Sequence, residues 1–569
     1  MKKLQNNRQS GITLIALVIT IIVLIILAGV AINLTLGQNG LLNRTKEARE
    51  KYEIASAKEY IELKIDECII EKGGEASLQD IIDYLAEDSS VTYYVALEEV
   101  GLVAGEVDIG SPKEIYVVYN SYQFKVDESK NVEFISIVDV DLEGKVSIEA
   151  QVKEYLGKNA EEKYEVSVLL KATGDAEISK LEIQNPDGTT LTLEPDGLTT
   201  VGKDMTIEFD KTYKVILTTA NGHKYTKKII EKSEETIMNA EQLASFRDKV
   251  NSGLTYEGKT VKLGDDIDLS TVCGANVGGK EVSWEPIGTE TISFKGTFDG
   301  NYHSINNLYI NSDKYTWAGL FCRNEGIIQS TIMNNVDIYS YSESNIHILC
   351  GAIAADNNKI IRNCGINSGK VRAYNVTPTT SGWRQITVGG IAGISRYNIE
   401  DCFNKASIRG DTYNSNYTAA YIGGITGYSE GENSTVKNTY NVGDVYSNNG
   451  MTGGIVSAVT VRSTKYKSII NSYNIGNIGT SARFNGEIIG ATTKYVTINN
   501  CYYTNGNAYN IISEYGNPKV TNVSKVSTST LQGYATTLGD AYTNDIQNED
   551  GTWKYNNGYP ILKWQLQEN

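Results

Sequence analysis

Residues 12–32 form an apolar run, interrupted only by Thr13 and Thr20, behind Lys2, Lys3 and Arg8. As a helix this run reaches about 31 Å, matching a bilayer core of roughly 30 Å. The pattern therefore predicts a membrane-spanning helix, with its basic leader in the cytoplasm and the remainder outside. Gly37-Gln38-Asn39-Gly40 then breaks the run. Beyond it Ile54, Ala57, Ile61, Ile65 and Cys68 recur at helical spacing, with Glu50, Lys51, Lys58, Glu62 and Lys64 on the other face. The helical region is thus expected over 12–70.

The pattern changes twice before residue 234. Over 71–136 it predicts a small α+β head, with Ser77-Leu78-Gln79-Asp80 capping a short helix and strand-like runs between Ile115 and Ile135. Over 137–233, short alternating runs such as Val146–Val152, Tyr164–Leu170, Leu181–Gln184 and Tyr213–Leu217 are separated by Asp187-Gly188, Asp196-Gly197 and Asn221-Gly222. That alternation predicts an immunoglobulin-like β-sandwich.

From about residue 234 to 569 the chain repeats itself. A glycine motif recurs as Cys350-Gly351-Ala352-Ile353, Val388-Gly389-Gly390-Ile391, Ile422-Gly423-Gly424-Ile425, Thr452-Gly453-Gly454-Ile455 and, weakly, Gly486-Glu487-Ile488. Its first glycines are separated by 38, 34, 30 and 33 residues. A second motif follows each time: Ile361-Arg362-Asn363-Cys364, Ile399-Glu400-Asp401-Cys402, Val436-Lys437-Asn438-Thr439, Ile470-Asn471-Ser472 and Asn499-Asn500-Cys501. Such a unit cannot bury its apolar residues alone, so stacked coils of a parallel solenoid are implied. Strands of neighbouring coils lie about 4.8 Å apart, which gives paired glycines a use where the backbone turns inward. Asn363, Asn438, Asn471 and Asn500 should then form a ladder of amides at one turn. Cys364, Cys402 and Cys501 share a position with Thr439 and Ser472, the mark of a small buried slot rather than of a metal ligand or nucleophile. Ala240 to Phe246 should be helical and cap the start, and Asn557 to Trp564 resembles the closing segment of GLUG-repeat proteins.

These repeats resemble the GLUG repeat of bacterial surface proteins, including the non-catalytic part of some immunoglobulin A peptidases. At the other end, Ser10-Gly11-Ile12-Thr13-Leu14-Ile15 resembles the cleavage and methylation signal of type IV prepilins. That resemblance implies a leader over 1–11, cut by a prepilin peptidase after Gly11 so that Ile12 becomes the methylated N-terminus. It also implies pilus subunits as partners, although filament-forming members usually carry Glu where this chain has Ala16. An ordinary signal peptide ending near Gly29-Val30-Ala31 and an uncleaved anchor are the alternatives. The expected architecture is mainly β: a long pilin-like N-terminal α-helix, a small α+β head, an immunoglobulin-like sandwich and a right-handed parallel β-helix. The expected location is the cell membrane, single-pass, with the C-terminal region outside.

Composition narrows the functional classes. With 52 Lys+Arg against 69 Asp+Glu, the net charge is -17, which argues against nucleic acid as a partner. The seven cysteines show no CxxC spacing. Parallel β-helices host polysaccharide lyases and hydrolases, so a carbohydrate-active enzyme is the rival reading. Its parts are sparse. Three histidines form no HExxH, and Asp265, Asp266, Asp268 and Asp299 are explained by turns as readily as by acid–base or calcium chemistry. The expectation is a non-enzymatic protein without cofactor or metal. Tyr374, Trp383, Tyr413, Tyr417, Tyr446 and Tyr466 offer aromatic faces to a glycan or protein ligand.

Overall fold

The computed structural model describes residues 41–85, 88, 91–97, 101–104, 114–119, 122–137, 146–174, 176–220, 224–343, 347–375, 384–413, 418–432, 434–459, 467–479, 484–511 and 517–567. The chain divides into two compact units. One comprises 1–151, 169–205 and 211–230, and the other 152–168, 206–210 and 231–569.

In the first unit, helix α1 (Leu41–Glu71) lays Ala57, Ile61, Ile65 and Cys68 into a core shared with helix α2 (Leu78–Leu85). Ser77 caps α2: its hydroxyl accepts from the Asp80 amide at 3.1 Å, and its own amide donates to the Asp80 carboxylate at 2.9 Å. The same core takes Ile115, Val117, Phe124 and Val126 from an antiparallel sheet of five strands, Val91–Leu97, Gly101–Ala104, Glu114–Tyr119, Tyr122–Asp127 and Val132–Ile137.

The expected long pilin-like helix over 12–70 is corrected. The described helix begins only at Leu41, directly after the Gly37–Gly40 break, and it is a polar helix with a narrow apolar stripe. Among the described residues no helix is long and apolar enough to cross a membrane. The single-pass location is corrected with it; the run 12–32, on which it rested, lies outside the described residues.

Residues 147–229 form a three-stranded sheet (Thr200–Glu208, Tyr164–Thr173, Ser147–Lys158) and a four-stranded sheet (Lys224–Ile229, Tyr213–Thr219, Ile178–Gln184, Thr190–Leu193).

In the second unit the repeats become coils, each contributing strands to four parallel sheets. Sheet I takes two strands per coil, as in Ile360–Arg362 with Gly365–Ile366. Sheet II runs from Tyr309–Ser312 to Val445–Tyr446, sheet III from Trp317–Ala318 to Phe484–Gly486, and sheet IV from Phe321–Asn324 to Tyr509–Ile511. Equivalent residues pair in register, so one column of Phe298, Ile328, Ile361, Ile399, Val436, Ile469 and Ile498 is buried from end to end. Each such side chain contributes about 1.5–3 kcal/mol of burial.

The repeat motifs are the corners of this coil. A Cβ on Gly389 would lie 2.0 Å from the Ala392 carbonyl oxygen of its own turn, and one on Gly424 2.0 Å from the Gly454 oxygen of the next coil. Only a residue without a side chain passes at either place. At the opposite corner Asn363, Asp401, Asn438, Asn471 and Asn500 all have φ of 51–54°, a left-handed conformation that Asn and Asp tolerate best after glycine. From Asp401 onward the side chains form a ladder: Asn438 donates to Asp401 at 2.8 Å, Asn471 to Asn438 at 3.0 Å, and Asn500 to Asn471 at 2.9 Å. All seven cysteines are free and buried. Cys402 and Cys501 donate to backbone oxygens beside the Thr439–Ser472 hydroxyl pair. Burial pushes the Cys350 and Cys501 thiols up to about 12.

Helix α3 (Ala240–Asn251) begins at Asn239, which accepts from the Gln242 amide at 2.9 Å. Its Phe246 stacks on Phe298 and meets Tyr256 and Phe294 edge-on, closing the first coil. The C-terminal segment behaves differently from an end-cap. Residues 526–567 lie along the side of sheet I, where Leu531, Leu538, Tyr542, Leu562 and Trp564 pack on Phe403, Tyr440, Tyr473 and Tyr502 from four successive coils.

Candidate functional site: an outward tyrosine and arginine strip

In sheet II alternate residues point inward. Ile310, Ile338, Val371, Ile408 and Val445 pair in register and are fully buried. The residues one place on therefore share the outer face, where Asn311, Tyr339, Arg372, Arg409 and Tyr446 form a column across five coils. Beside it runs a second column of Tyr341, Tyr374 and Asp411.

The outer columns are organised. The Tyr339 and Tyr341 rings stack at 5.4 Å. The Arg372 guanidinium sits 5.0 Å over Tyr339, and that of Arg409 4.6 Å over Tyr446. Asp337 holds Arg372 at 2.5 Å and Lys370 at 3.6 Å, while Asp411 holds Arg409 at 2.5 Å. Each guanidinium thus sits over a ring and is held by a carboxylate. The result is a flat face of rings and cations repeating at the coil spacing of about 4.8 Å. Such a face can hold an extended polar or acidic chain by stacking and by hydrogen bonds from guanidinium.

Of the aromatics singled out in the sequence, Tyr374 and Tyr446 lie on this face, and Tyr413 follows it at 59% exposure. Trp383, Tyr417 and Tyr466 lie outside the described residues, as do Gly11 and Ile12. Sequence reasoning missed Tyr339, Arg372 and Arg409. Their signal was the strict alternation of Val336–Ser342 and of residues 369–375, readable once the inward column is fixed.

The candidate acidic residues are used in turns. Asp268 accepts from the Ser270 amide at 2.9 Å and from Asn307 at 2.7 Å, which hold its carboxyl below the usual range. Asp299 accepts from the Asn301 amide and from Gln329, both at 2.9 Å. Asp266 accepts from the Ser304 amide at 2.7 Å. Among the described residues no group of three His, Cys, Asp or Glu side chains is placed to hold a metal. On sheet IV, buried Asp356 pairs with Arg396 and with Arg323, and Arg396 reaches Glu430 at 2.8 Å. Burial raises the Asp356 carboxyl despite both cations.

No protein family's sequence profile matches the chain, and no curated protein sequence matches it. Among solved structures it is similar to a Bacteroides ovatus protein described as a candidate immunoglobulin A1 protease, at 20% identity and a TM-score of 0.42, over 58% of this chain and 92% of that one. A likeness of this size carries nothing over to this chain.

Proposed function

We propose that the chain is a non-catalytic binding and structural protein, whose solenoid presents the sheet II strip to a linear glycan lying along its axis. The observation that carries this reading is the register of Tyr339, Arg372, Arg409 and Tyr446 on one outer face. A polysaccharide presents a ring at each repeat, and the strip presents a ring or a planar cation at each coil. The inward motifs, by contrast, are occupied with holding the coils together. A lyase or hydrolase reading would need paired carboxylates open to substrate, and Asp268 and Asp299 are bonded into turns. The prepilin resemblance completes the proposal: cleavage after Gly11 would give a mature chain beginning at Ile12, a minor component beside pilus subunits because Ala16 replaces the usual Glu.

The test is a glycan array probed with the whole chain, then with Arg372→Ala and Tyr446→Ala. Binding to one polymer class should weaken about tenfold in each variant, the loss of one stacked cation or ring. Binding unchanged in both variants, or depolymerisation of the bound glycan, would refute the proposal.

A further inference from the structure

A second site of different construction lies on sheet I. The outward column there reads Ile332, Gly365, Phe403, Tyr440, Tyr473. Phe403, Tyr440 and Tyr473 stack face to face at 5.1 Å steps, under the C-terminal segment. The column is interrupted at Gly365, where a Cβ would lie 2.1 Å from the Phe403 ring. The Phe403 ring fills the space over Gly365, and beside it lies a cavity of about 350 Å³ lined by Ile332 and Phe403 and by the rings of Tyr302, Tyr555 and Trp564. Trp564 is held by its indole N–H donating to the Asp401 oxygen at 2.8 Å and by stacking on Phe403 at 5.8 Å. Tyr302 lies 6.2 Å from the Trp564 ring.

Lys405 and Lys554 line this cavity together with the amides of Asn367, Gln565 and Gln567, and among the described residues no carboxylate does. The chain as a whole carries -17. Lys405 takes the place in the next coil that follows the outer amide ladder of Asn306, Asn334 and Asn367. Its ammonium lies 5.2 Å over Phe403 and donates to the Tyr555 oxygen at 2.6 Å, leaving two N–H groups for a ligand. Lys554 sits 4.9 Å over the Tyr555 ring. Asp545, whose charge acts on Lys405, is bonded to the amides of Tyr555, Asn556 and Gly558.

We propose that this cavity binds a single acidic sugar residue, its ring against Tyr302 and Trp564, its carboxylate on Lys405, and its hydroxyls on the rim amides Asn367 and Gln567. The size admits one residue rather than a chain. A carboxylate is the group that the two remaining N–H groups of the Lys405 ammonium prefer, and a ring with one apolar face is what aromatic walls prefer. The site is separate from the sheet II strip and does not depend on it. Burial lowers the Lys405 ammonium to about 8, with Asp545 opposing. Of the titratable groups facing it (Asp545, Lys554, Tyr302 and Tyr555), none supplies a carboxylate inside the cavity.

Calorimetry on the whole chain with glucuronate, N-acetylneuraminate and glucose tests this. Saturable binding of one or both acids, with glucose at least about tenfold weaker, is expected; the two acids distinguish a uronate from a sialate. Between pH 7 and 9 the affinity should fall about tenfold as Lys405 loses its proton. Lys405→Met, which keeps the stem, should abolish both the preference for acid and the pH dependence. Arg372→Ala, on the strip, should leave all of these values unchanged, so the two sites fail or stand separately. Equal binding of glucose and glucuronate by the unmodified chain, no binding of either acid, or undiminished glucuronate binding by Lys405→Met would overturn the proposal.

Discussion

Asn471 lets the backbone and side-chain terms of the solenoid corner be measured apart. Its φ of 52° is left-handed, its amide donates to Asn438 at 3.0 Å, and its oxygen accepts from Asn500 at 2.9 Å. Replacing it with Gly removes two side-chain hydrogen bonds and keeps a residue at ease with that φ. At about 1 kcal/mol per bond, Asn471→Gly should cost about 2 kcal/mol. Part of this is recovered, because Asn500 also donates to the Thr537 oxygen at 2.9 Å. Asn471→Ala loses the same two bonds and adds a left-handed penalty of about 1–2 kcal/mol, for roughly 3–4 in all. The five tryptophans, Trp284, Trp317, Trp383, Trp553 and Trp564, all lie in the second unit. Intrinsic fluorescence in urea therefore reports the solenoid and not the rest of the chain. Equal midpoints for the Gly and Ala variants would show that the backbone conformation does not select Asn at this corner. A Gly variant as stable as the parent would show that the ladder contributes nothing.

Three further outcomes are expected. Glu487 is buried, accepts from Asn474 at 2.7 Å, and its carboxyl is raised by burial. A native value above the unfolded one means that its contribution is fully present below about pH 4.5 and is lost as pH rises through the raised native value. Glu487→Gln should therefore be more stable than the parent at pH 7 and should flatten the urea midpoint against pH across that window. With thiols such as Cys322 pushed up to about 12, only about one in 10⁴ is thiolate at pH 8; a thiol reagent should find no reactive cysteine until urea unfolds the coils, when the six cysteines from Cys273 to Cys501 react. For the prepilin reading, intact mass should place the mature N-terminus at Ile12, and Gly11→Leu should leave residues 1–11 attached; an N-terminus at Met1 or near Ala31 would contradict it.

What was legible in the sequence was whatever a single coil repeats. Paired glycines such as Gly389-Gly390 and the corner amides Asn438, Asn471 and Asn500 recur at every turn, so periodicity alone places them. The conformational reason for those amides was not legible, because a positive φ is a property of the closed corner. A second ladder was missed altogether. Asn404 donates to Asn441 and Asn441 to Asn474, both at 2.8 Å, inside the solenoid, ending on Glu487. In the sequence these asparagines follow Phe403, Tyr440 and Tyr473 and look like ordinary turn residues; only stacking gives each a buried partner. The placement of residues 526–567 was missed for a related reason. An end-cap and a side-cover have the same apolar content, and the choice is made by the stacked rings of four coils. At the N-terminus the apolar run 12–32 and the stripe Ile54–Cys68 were joined into one long helix, whereas the Gly37–Gly40 break precedes a described helix that begins at Leu41.

The side-cover also bears on what the strip is for. A strand in this solenoid gives its inward residues no choice, since each must match its neighbours one coil away. Its outward residues are released from that demand, and an outward aromatic column is therefore a surface that something else can select. Sheet I has such a column in Phe403, Tyr440 and Tyr473, and the chain covers it with its own C-terminal segment until Tyr440 and Tyr473 are fully buried. Tyr440 donates to Gln565 at 2.9 Å, and Asn556 donates to the Tyr473 hydroxyl at 2.8 Å. The contact is thus a recognition event made within one molecule. Sheet II carries the equivalent column in Tyr339, Arg372, Arg409 and Tyr446, and among the described residues no segment packs over it as residues 526–567 pack over sheet I. Its two rings flank a central pair of guanidiniums instead of stacking on other rings, which suits a hydrated, polar partner better than an apolar cover. On the binding proposal above, the sheet II column is the one left for a partner from outside the chain.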